Sequence, residues 1–164
     1  MMNLLETERL IIKIPTSSDV ESWFALHAES DVKQFTKDKV QKMLEKDILH
    51  HQKYGFGMWS VYEKKHNEFV GRAGLFYFIE NDIESDIELG YVLHKAHWGK
   101  GYATEIAAAI INWGFEHLRV NRLVAITRPD NKSSQRVLTK IGMRHTGNIL
   151  VENSEFLFHE IVKL

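Results

Sequence analysis

The chain has 164 residues, of which 44% are hydrophobic and 26% are charged, a composition typical of one compact domain and unlike that of disordered proteins. Its 21 Lys and Arg residues nearly balance 22 Asp and Glu residues, and the net charge of −1 argues against a nucleic-acid or anionic-membrane partner. The absence of Cys excludes disulfides, iron–sulfur clusters, thiolate metal sites and a cysteine nucleophile. We therefore expect a single domain over residues 1–164.

The N-terminal stretch, residues 1–9, lacks the basic segment, apolar core and small-residue cleavage site of a signal peptide. The longest apolar run, residues 106–111, is far shorter than the about 20 residues that a membrane-spanning helix needs. These features predict a cytoplasmic protein without a membrane partner.

The first half of the chain predicts strands around two helices. A strand over residues 10–14 is stopped by proline, and the side chains of residues 16–19 are typical caps for a following helix. Apolar residues at helical spacing predict a second helix over residues 38–54. Strands over residues 58–62 and 69–77 are separated by a polar turn, which favours an antiparallel hairpin.

The second half alternates strands with helices. A strand is predicted over residues 87–93, a helix over 104–117, a short apolar strand over 123–127 and a helix over 133–141. A β-rich tail, residues 149–164, closes the chain. Because both a hairpin and helical crossovers join the strands, we predict an α/β fold with a mixed, largely antiparallel central sheet flanked by helices.

A loop with two glycines follows the strand at 87–93 and precedes a helix that begins near Tyr102. Gly99 and Gly101 let the backbone approach an anion, the free N–H groups of the helix N-terminus point at it, and Lys100 adds positive charge. The loop lacks Gly-Lys-Ser/Thr, and Thr104 occupies the third glycine position of the dinucleotide fingerprint. The pattern predicts an anion site, with a tight turn or a nucleotide-phosphate site as alternatives.

A second strand-to-helix junction lies about thirty residues further along the chain. There Asn131 or Ser133 can cap the helix, and Gly142 can end it. Capping alone accounts for these residues. If the two junctions are neighbours in the sheet, however, their strand ends form the crevice in which ligands bind.

These two junctions, WGKGYATE at 98–105 and NKSSQRVLTKIGM at 131–143, resemble the GNAT superfamily of acetyl-CoA-dependent N-acetyltransferases. The likeness is closest to the branch of the ribosomal-protein N-terminal (alanine/serine) acetyltransferases, whose entry into the first strand is similar to LETERL at 5–10. It covers nearly the whole chain. The resemblance implies the GNAT fold and acetyl-CoA as co-substrate; from the pattern of the His residues, considered below, we expect no metal.

The superfamily pattern at the first motif is Gln or Arg, two residues, Gly, one residue, then Gly or Ala; it falls on Trp98, Gly101 and Ala103, and Trp98 departs from it. The resemblance implies that this loop binds the CoA pyrophosphate through Trp98, Gly99, Lys100, Gly101, Tyr102, Ala103 and Thr104. It also implies a slot between two splayed parallel strands for the pantetheine arm, bound by Tyr91, Val92, Leu93, Asn131 and Ser134.

The implied reaction is direct attack of a substrate amine on the thioester, with a backbone N–H near Val92 or Leu93 stabilising the oxyanion. The amine must first lose a proton, and Glu88 on the central strand is the candidate general base. A solvent-facing or ion-paired role for Glu88 is the alternative.

The proton donor for the leaving thiolate is harder to identify. Many family members place a Tyr seven residues after the Asn of the second motif, and that position holds Leu138. Tyr91, Tyr102 and Ser134 are the remaining candidates. Because the expected acid is missing, a non-catalytic acyl-CoA-binding or regulatory module is the alternative function.

Two further features bear on the acceptor amine. Closely spaced carboxylates lead into the central strand and predict either an acidic mouth for a cationic amine or a solvated loop; they are Glu80, Asp82, Glu84, Asp86 and Glu88. Several aromatic residues predict either an acceptor pocket or core; they are Trp23, Phe24, Phe35, Trp59, Phe76 and Tyr77.

Other partners follow from composition or resemblance alone. The nine His residues invite a metal site, but their pattern does not supply a ligand set. The acceptor is either a peptide N-terminus or a small amine, and a homodimer is conceivable through the β-rich tail.

Overall fold

The computed structural model describes residues 3–29 and 35–164. Met1 and Met2, which belong to the N-terminal stretch 1–9 used above to predict the localisation, lie outside the described residues. Within these ranges the strands are β1 (Asn3–Glu6), β2 (Leu10–Lys13), β3 (Met58–Glu63), β4 (Glu68–Tyr77), β5 (Ile87–Leu93), β6 (Arg122–Thr127), β7 (Arg144–Val151) and β8 (Ser154–Val162). They form one sheet in the order β1-β2-β3-β4-β5-β6-β8-β7.

Four helices flank this sheet in the described ranges: α1 (Val20–Ala28), α2 (Lys37–Tyr54), α3 (Tyr102–His117) and α4 (Lys132–Lys140). Thr36 caps α2, since its side chain accepts a hydrogen bond from the N–H of Lys39 at 3.2 Å, and Gly55 ends the helix in the left-handed conformation. A short 3₁₀ turn, Ser17–Asp19, precedes α1.

The sheet is mixed and largely antiparallel, as predicted. Its paired neighbours run antiparallel except β5 and β6, which are parallel. The hairpin of β3 and β4 is confirmed, and β5 has the predicted bounds.

Two predictions at the ends of the chain were incomplete. The sequence predicts the first strand over residues 10–14, but β1 precedes that strand and pairs with it. The tail is a hairpin of β7 and β8 that begins at Arg144 rather than at residue 149. Both β1 and the start of β7 are short of buried residues, so they lack the alternation that predicts a strand.

The two faces of the sheet carry different helices. Met58 packs with Trp23, Val40 and Leu44 of α1 and α2, whereas the next residue, Trp59, packs against Trp113 of α3 with ring centroids 5.0 Å apart. Since successive strand residues point to opposite faces, α1 and α2 cover one face and α3 the other. The buried Leu138 brings α4 to the α3 face.

Candidate active site

A slot opens between β5 and β6 at the carboxyl ends of these strands. Within the part of the chain that the structure describes, they pair in parallel at a single position, Glu88 opposite Val124, although β5 continues to Leu93 and β6 to Thr127. Beyond Glu88 the two strands part. The sheet therefore leaves one edge of β5 free of strand partners just before the glycine loop.

The pairing of β4 and β5 identifies the backbone groups that face the slot. His94 N–H donates to the carbonyl of Val70 at 2.8 Å, and antiparallel strands alternate between bonded and non-bonded pairs. Val92, which lies opposite Arg72, is therefore bonded toward β4, while the N–H and C=O groups of Tyr91 and Leu93 face the slot. Among the predicted backbone contacts to the pantetheine arm, this alternation favours those of Tyr91 and Leu93 over that of Val92.

The loop after β5 has the geometry of an anion site. Gly99 and Gly101 have φ of 77° and 81°, left-handed values that glycine adopts without strain. Gly101 is the N-cap of α3, and no side chain of the described residues caps that helix. Its first N–H groups are thus open to a ligand. An exposed helix N-terminus with free N–H donors suits a diphosphate, which is an anion with several acceptor oxygens.

Two other predicted loop residues have definite side-chain positions. Trp98 is 61% exposed, and its indole N–H donates to the Leu93 carbonyl at 3.0 Å. The hydroxyl of Tyr102 is buried and donates to a carboxylate oxygen of Glu63 at 2.7 Å. Tyr102 is therefore eliminated as a candidate acid, because its hydroxyl points to β3 and away from the slot.

The second junction reaches across the slot to the first. Asn131 caps α4 by accepting a hydrogen bond from Ser134 N–H at 3.1 Å. The hydroxyl groups of Ser134 and Tyr91 lie 2.8 Å apart, which joins α4 to β5. Burial raises the pKa of Tyr91 above its usual value, and the bond to Ser134 opposes this effect only in part. Leu138, by contrast, is buried in the core.

Glu88 lies on the opposite face of β5 from the Tyr91 side chain. It shares that face with Gly90 and Val92 and lies opposite Phe76 of β4. Burial raises the pKa of Glu88 from its ordinary value to about 7. The carboxylate can thus accept a proton near neutral pH, as a general base requires.

A cavity of about 920 Å³ lies between α2 and the ends of β4 and β5. Phe76, Tyr77, Gly90 and Val92 line its sheet wall. The charged side chains of its lining include both signs; they are Lys42, Glu45, Lys46, Asp47, Lys53, Arg72 and Glu80.

A buried charge cluster lies in the wall of this cavity. The Arg72 guanidinium donates to Asp47 at 2.7 Å and to His27 Nε2 at 3.1 Å, and it stacks over Trp23 at 4.4 Å. Burial, with Arg72 beside it, lowers the pKa of His27 to about 4, so this ring is a neutral acceptor. Sequence reasoning missed the cluster, although a charged residue inside the apolar strand 69–77 was the available signal.

The acidic run before β5 does not form an acidic mouth. Asp86 and Glu80 form ion pairs of 2.7 Å with Arg122 and Lys46, respectively, and Asp82 accepts a hydrogen bond from Glu84 N–H. These contacts favour the alternative of a structured surface loop.

The aromatic residues divide between core and cavity. Trp23 and Trp59 are fully buried, Phe24 and Phe35 pack beside Trp23, and Phe76 and Tyr77 line the cavity.

The structure adds two observations on ligands and location. No three His, Asp or Glu side chains within residues 3–29 and 35–164 come together as a possible metal site. None of the described helices combines the length and hydropathy that a bilayer crossing requires.

Comparison with known proteins gives consistent results. Residues 9–144 match the family described as "Acetyltransferase (GNAT) domain". The uncharacterised N-acetyltransferase YoaA of Bacillus subtilis (strain 168) is 28% identical, over 90% of this chain and 86% of the relative. An acetyltransferase (GNAT family) structure from Bacillus anthracis superposes with a TM-score of 0.81 at 26% identity, covering 96% of this chain and 97% of that chain.

A further structural neighbour is RimL, a ribosomal L7/L12 α-N-protein acetyltransferase in complex with coenzyme A. Its TM-score is 0.81 at 17% identity, with 98% of each chain covered. At this identity the likeness concerns the fold alone.

Proposed function

This chain belongs to the GNAT acetyltransferase family and is an N-acetyltransferase, and we propose that it transfers the acetyl group of acetyl-CoA directly to the primary amine of a peptide N-terminus or a small molecule. The observation that carries this proposal is the free edge of β5, at Tyr91 and Leu93, directly beside the uncapped N-terminus of α3. Amide groups and an anion can bind there together.

Acetyl-CoA supplies the activated acetyl group, and the residues of the slot hold it. The backbone N–H groups from Gly99 to Thr104 bind the diphosphate, as expected at an open helix N-terminus. The Tyr91 backbone groups and the Leu93 N–H pair with the amides of the pantetheine arm, since the Leu93 carbonyl already accepts from Trp98, while Asn131 and Ser134 contact the arm from α4. The N–H of Tyr91 or Leu93 is the oxyanion donor, because both face the slot.

Glu88 removes the proton from the acceptor amine. Its carboxylate lies on the cavity face of β5, and its pKa of about 7 makes it a base of suitable strength at neutral pH.

The Tyr91 and Ser134 hydroxyl pair protonates the leaving thiolate. It occupies the slot side of β5, where Leu138 has no proton to give. A tyrosine hydroxyl is protonated at neutral pH, and burial raises the pKa of Tyr91 further, so the pair holds a proton that it can donate.

The cavity beside α2 receives the acceptor. Its volume of about 920 Å³ is large enough for a drug-sized molecule or a few residues of peptide. RimL, which shares the fold, is a ribosomal L7/L12 acetyltransferase, which supports peptide N-termini as one class to test. The mixed charges of the lining also suit small amines that carry an anionic group.

The decisive experiment follows free thiol release from acetyl-CoA against polyamines, aminoglycosides, amino acids and short peptides with free N-termini. Because the chain has no Cys, the background of a thiol reagent is low. We expect release that depends on one acceptor class. Tight CoA binding by calorimetry without turnover on any amine would contradict the proposal and favour a non-catalytic acyl-CoA-binding or regulatory module.

A further inference from the structure

The segment before β2 is tied to the first turn of α3 by a set of short hydrogen bonds. Thr7 Oγ1 donates to Glu105 Oε2 at 2.5 Å, and the Arg9 backbone N–H donates to the same oxygen at 2.9 Å. The Thr7 hydroxyl in turn accepts from Leu10 N–H at 3.0 Å. The two ends of this connection are 96 residues or more apart in sequence, so only the fold brings them together.

Arg9 extends this connection to the glycine loop. Its Nε donates to Glu105 Oε1 at 2.7 Å, its Nη1 donates to the Lys100 carbonyl at 2.8 Å, and its guanidinium lies over the Tyr102 ring at 4.5 Å. We call Thr7, Arg9 and Glu105 the loop clamp. Its charged members are partly exposed, but each bond has the short length of a charge-assisted contact.

The bond to Lys100 orients a donor of the anion loop. Lys100 lies between the two left-handed glycines, and its carbonyl belongs to the same planar peptide unit as the Gly101 N–H. In a trans peptide these two groups point in opposite directions. Because Arg9 holds the carbonyl on the β2 side, the Gly101 N–H points outward, toward the position that an anion would take.

The clamp also neutralises a charge that would repel the ligand. Glu105 lies in the first turn of α3, where a free carboxylate would compete with an anion for the helix N-terminus. Partial burial alone would raise its pKa, but the hydrogen bonds from Thr7 and Arg9 hold that pKa below the usual value. Glu105 is therefore ionised and paired with Arg9.

We infer that Thr7, Arg9 and Glu105 are positioning residues that hold the glycine loop in its diphosphate-binding shape and thereby set the affinity for CoA. This inference rests on the proposed function, because it takes CoA as the ligand of the loop. It assigns a role to the N-terminal LETERL segment, which otherwise serves only as the entry into the sheet.

The test compares a ligand that has the diphosphate with one that lacks it. CoA binding is measured by calorimetry, and kcat/KM is measured with acetyl-CoA and with S-acetylpantetheine, which retains the arm only. Arg9→Ala should raise the CoA Kd by about tenfold or more and Thr7→Val by about threefold. For S-acetylpantetheine, kcat/KM should stay within about twofold of wild type.

Two further variants separate positioning from charge. Arg9→Lys keeps the charge but not the several N–H donors that reach both Glu105 and Lys100. It should therefore lose most of the CoA affinity that Arg9→Ala loses. Arg119→Ala, at an exposed position after α3, removes an equal charge and should leave the CoA Kd unchanged. A wild-type CoA Kd in Arg9→Lys would overturn the inference, and so would an equal loss of kcat/KM with acetyl-CoA and S-acetylpantetheine in Arg9→Ala.

The outcomes also distinguish this inference from the proposed function. If wild-type protein does not bind CoA, the proposed function fails. If wild type binds CoA and both clamp variants bind it equally well, only the role of the clamp fails. Thermal melting identifies a variant that does not fold, and Thr7→Val, which exchanges one hydroxyl for a methyl group, then decides the question.

Discussion

The candidate active site has two regions, the glycine loop with the slot and the cavity beside α2, and they are built from different kinds of chemical group. On the loop side, defined here as residues 98–104 with Tyr91 and Ser134, the groups open to a ligand are mainly backbone N–H donors at a helix end. On the cavity side, defined as Glu88, Asp47 and Arg72 with the lining of the cavity, they are side chains of separate elements. The loop side suits a ligand common to a family, and the cavity side can change with the acceptor.

This contrast predicts that substitutions on each side affect different quantities. Changes on the loop side should alter CoA affinity with little effect on the acceptor, whereas changes on the cavity side should alter stability or turnover with CoA affinity intact. Four substitutions, each with a matched control, test that separation.

The largest effect is expected at the buried ion pair of the cavity side. Asp47→Ala leaves the Arg72 guanidinium, of which the side chain is only 10% exposed, without its carboxylate. Breaking a buried pair destabilises a fold by about 3 kcal/mol, and urea denaturation measures this loss. Glu45→Ala, at an exposed position of the same helix, should change stability by less than about 0.5 kcal/mol. Equal losses in the two variants would show that the pair contributes nothing specific.

Turnover should depend next on Glu88. Glu88→Gln should lower kcat at neutral pH by about 100-fold, the usual range for a general base, without changing the CoA Kd. Because the base works when deprotonated, wild-type kcat/KM should rise with pH through about 7, and the variant should lack that rise. The deficit should shrink at alkaline pH, where the amine is already deprotonated. A ratio of the wild-type rate to the Glu88→Gln rate that stays constant across pH would reject Glu88 as the general base. A similar loss of kcat in Glu84→Gln, on the surface loop, would reject it as well.

The same group predicts a pH dependence of stability with the opposite direction. The pKa of Glu88 is raised from 4.5 to about 7 in the folded state, so between these values the folded chain binds more protons than the unfolded chain. The contribution of Glu88 to stability is therefore present at low pH and is lost as pH rises through about 7. Glu88→Gln should flatten this part of the profile in urea denaturation.

On the loop side the largest effect is expected at Gly101. Gly101→Val places a branched side chain at φ of 81°, a conformation that such residues avoid, and it should raise the acetyl-CoA Kd by at least about tenfold, or about 1.4 kcal/mol. Gly55→Val is the matched control, since Gly55 ends α2 at φ of 80° on the other side of the sheet. That control should lose stability but bind CoA normally. Unchanged affinity in Gly101→Val would remove the loop from the binding site.

The same contrast explains how much the sequence could predict. The loop side is a contiguous stretch marked by two glycines, so the sequence could predict it as an anion site. The approximate positions of the helices and of the strands other than β1 and the start of β7 were also predictable. The cavity side was not predictable in this way, because nothing in the sequence pairs Asp47, in the predicted helix over 38–54, with Arg72, in a strand. Even on the loop side, the preference for Tyr91 and Leu93 over Val92 depends on which peptides of β5 are bonded to β4, and the sequence does not show that pairing.

The smallest effect compares two helix caps, one on each side. Asn131 caps α4 and Thr36 caps α2, each through one side-chain oxygen, so Asn131→Ala and Thr36→Ala should each lower stability by about 1 kcal/mol. Only Asn131→Ala should also raise the CoA Kd, by about threefold, because α4 carries Ser134 into the slot. Asn131→Ser separates the two contributions, since a serine caps equally well but has no amide to offer the pantetheine arm. If Asn131→Ser restores stability but CoA affinity stays reduced, Asn131 contacts the ligand directly; if CoA affinity is also restored, Asn131 acts only as the cap. An equal loss of CoA affinity in Thr36→Ala would contradict the separation of the two sides.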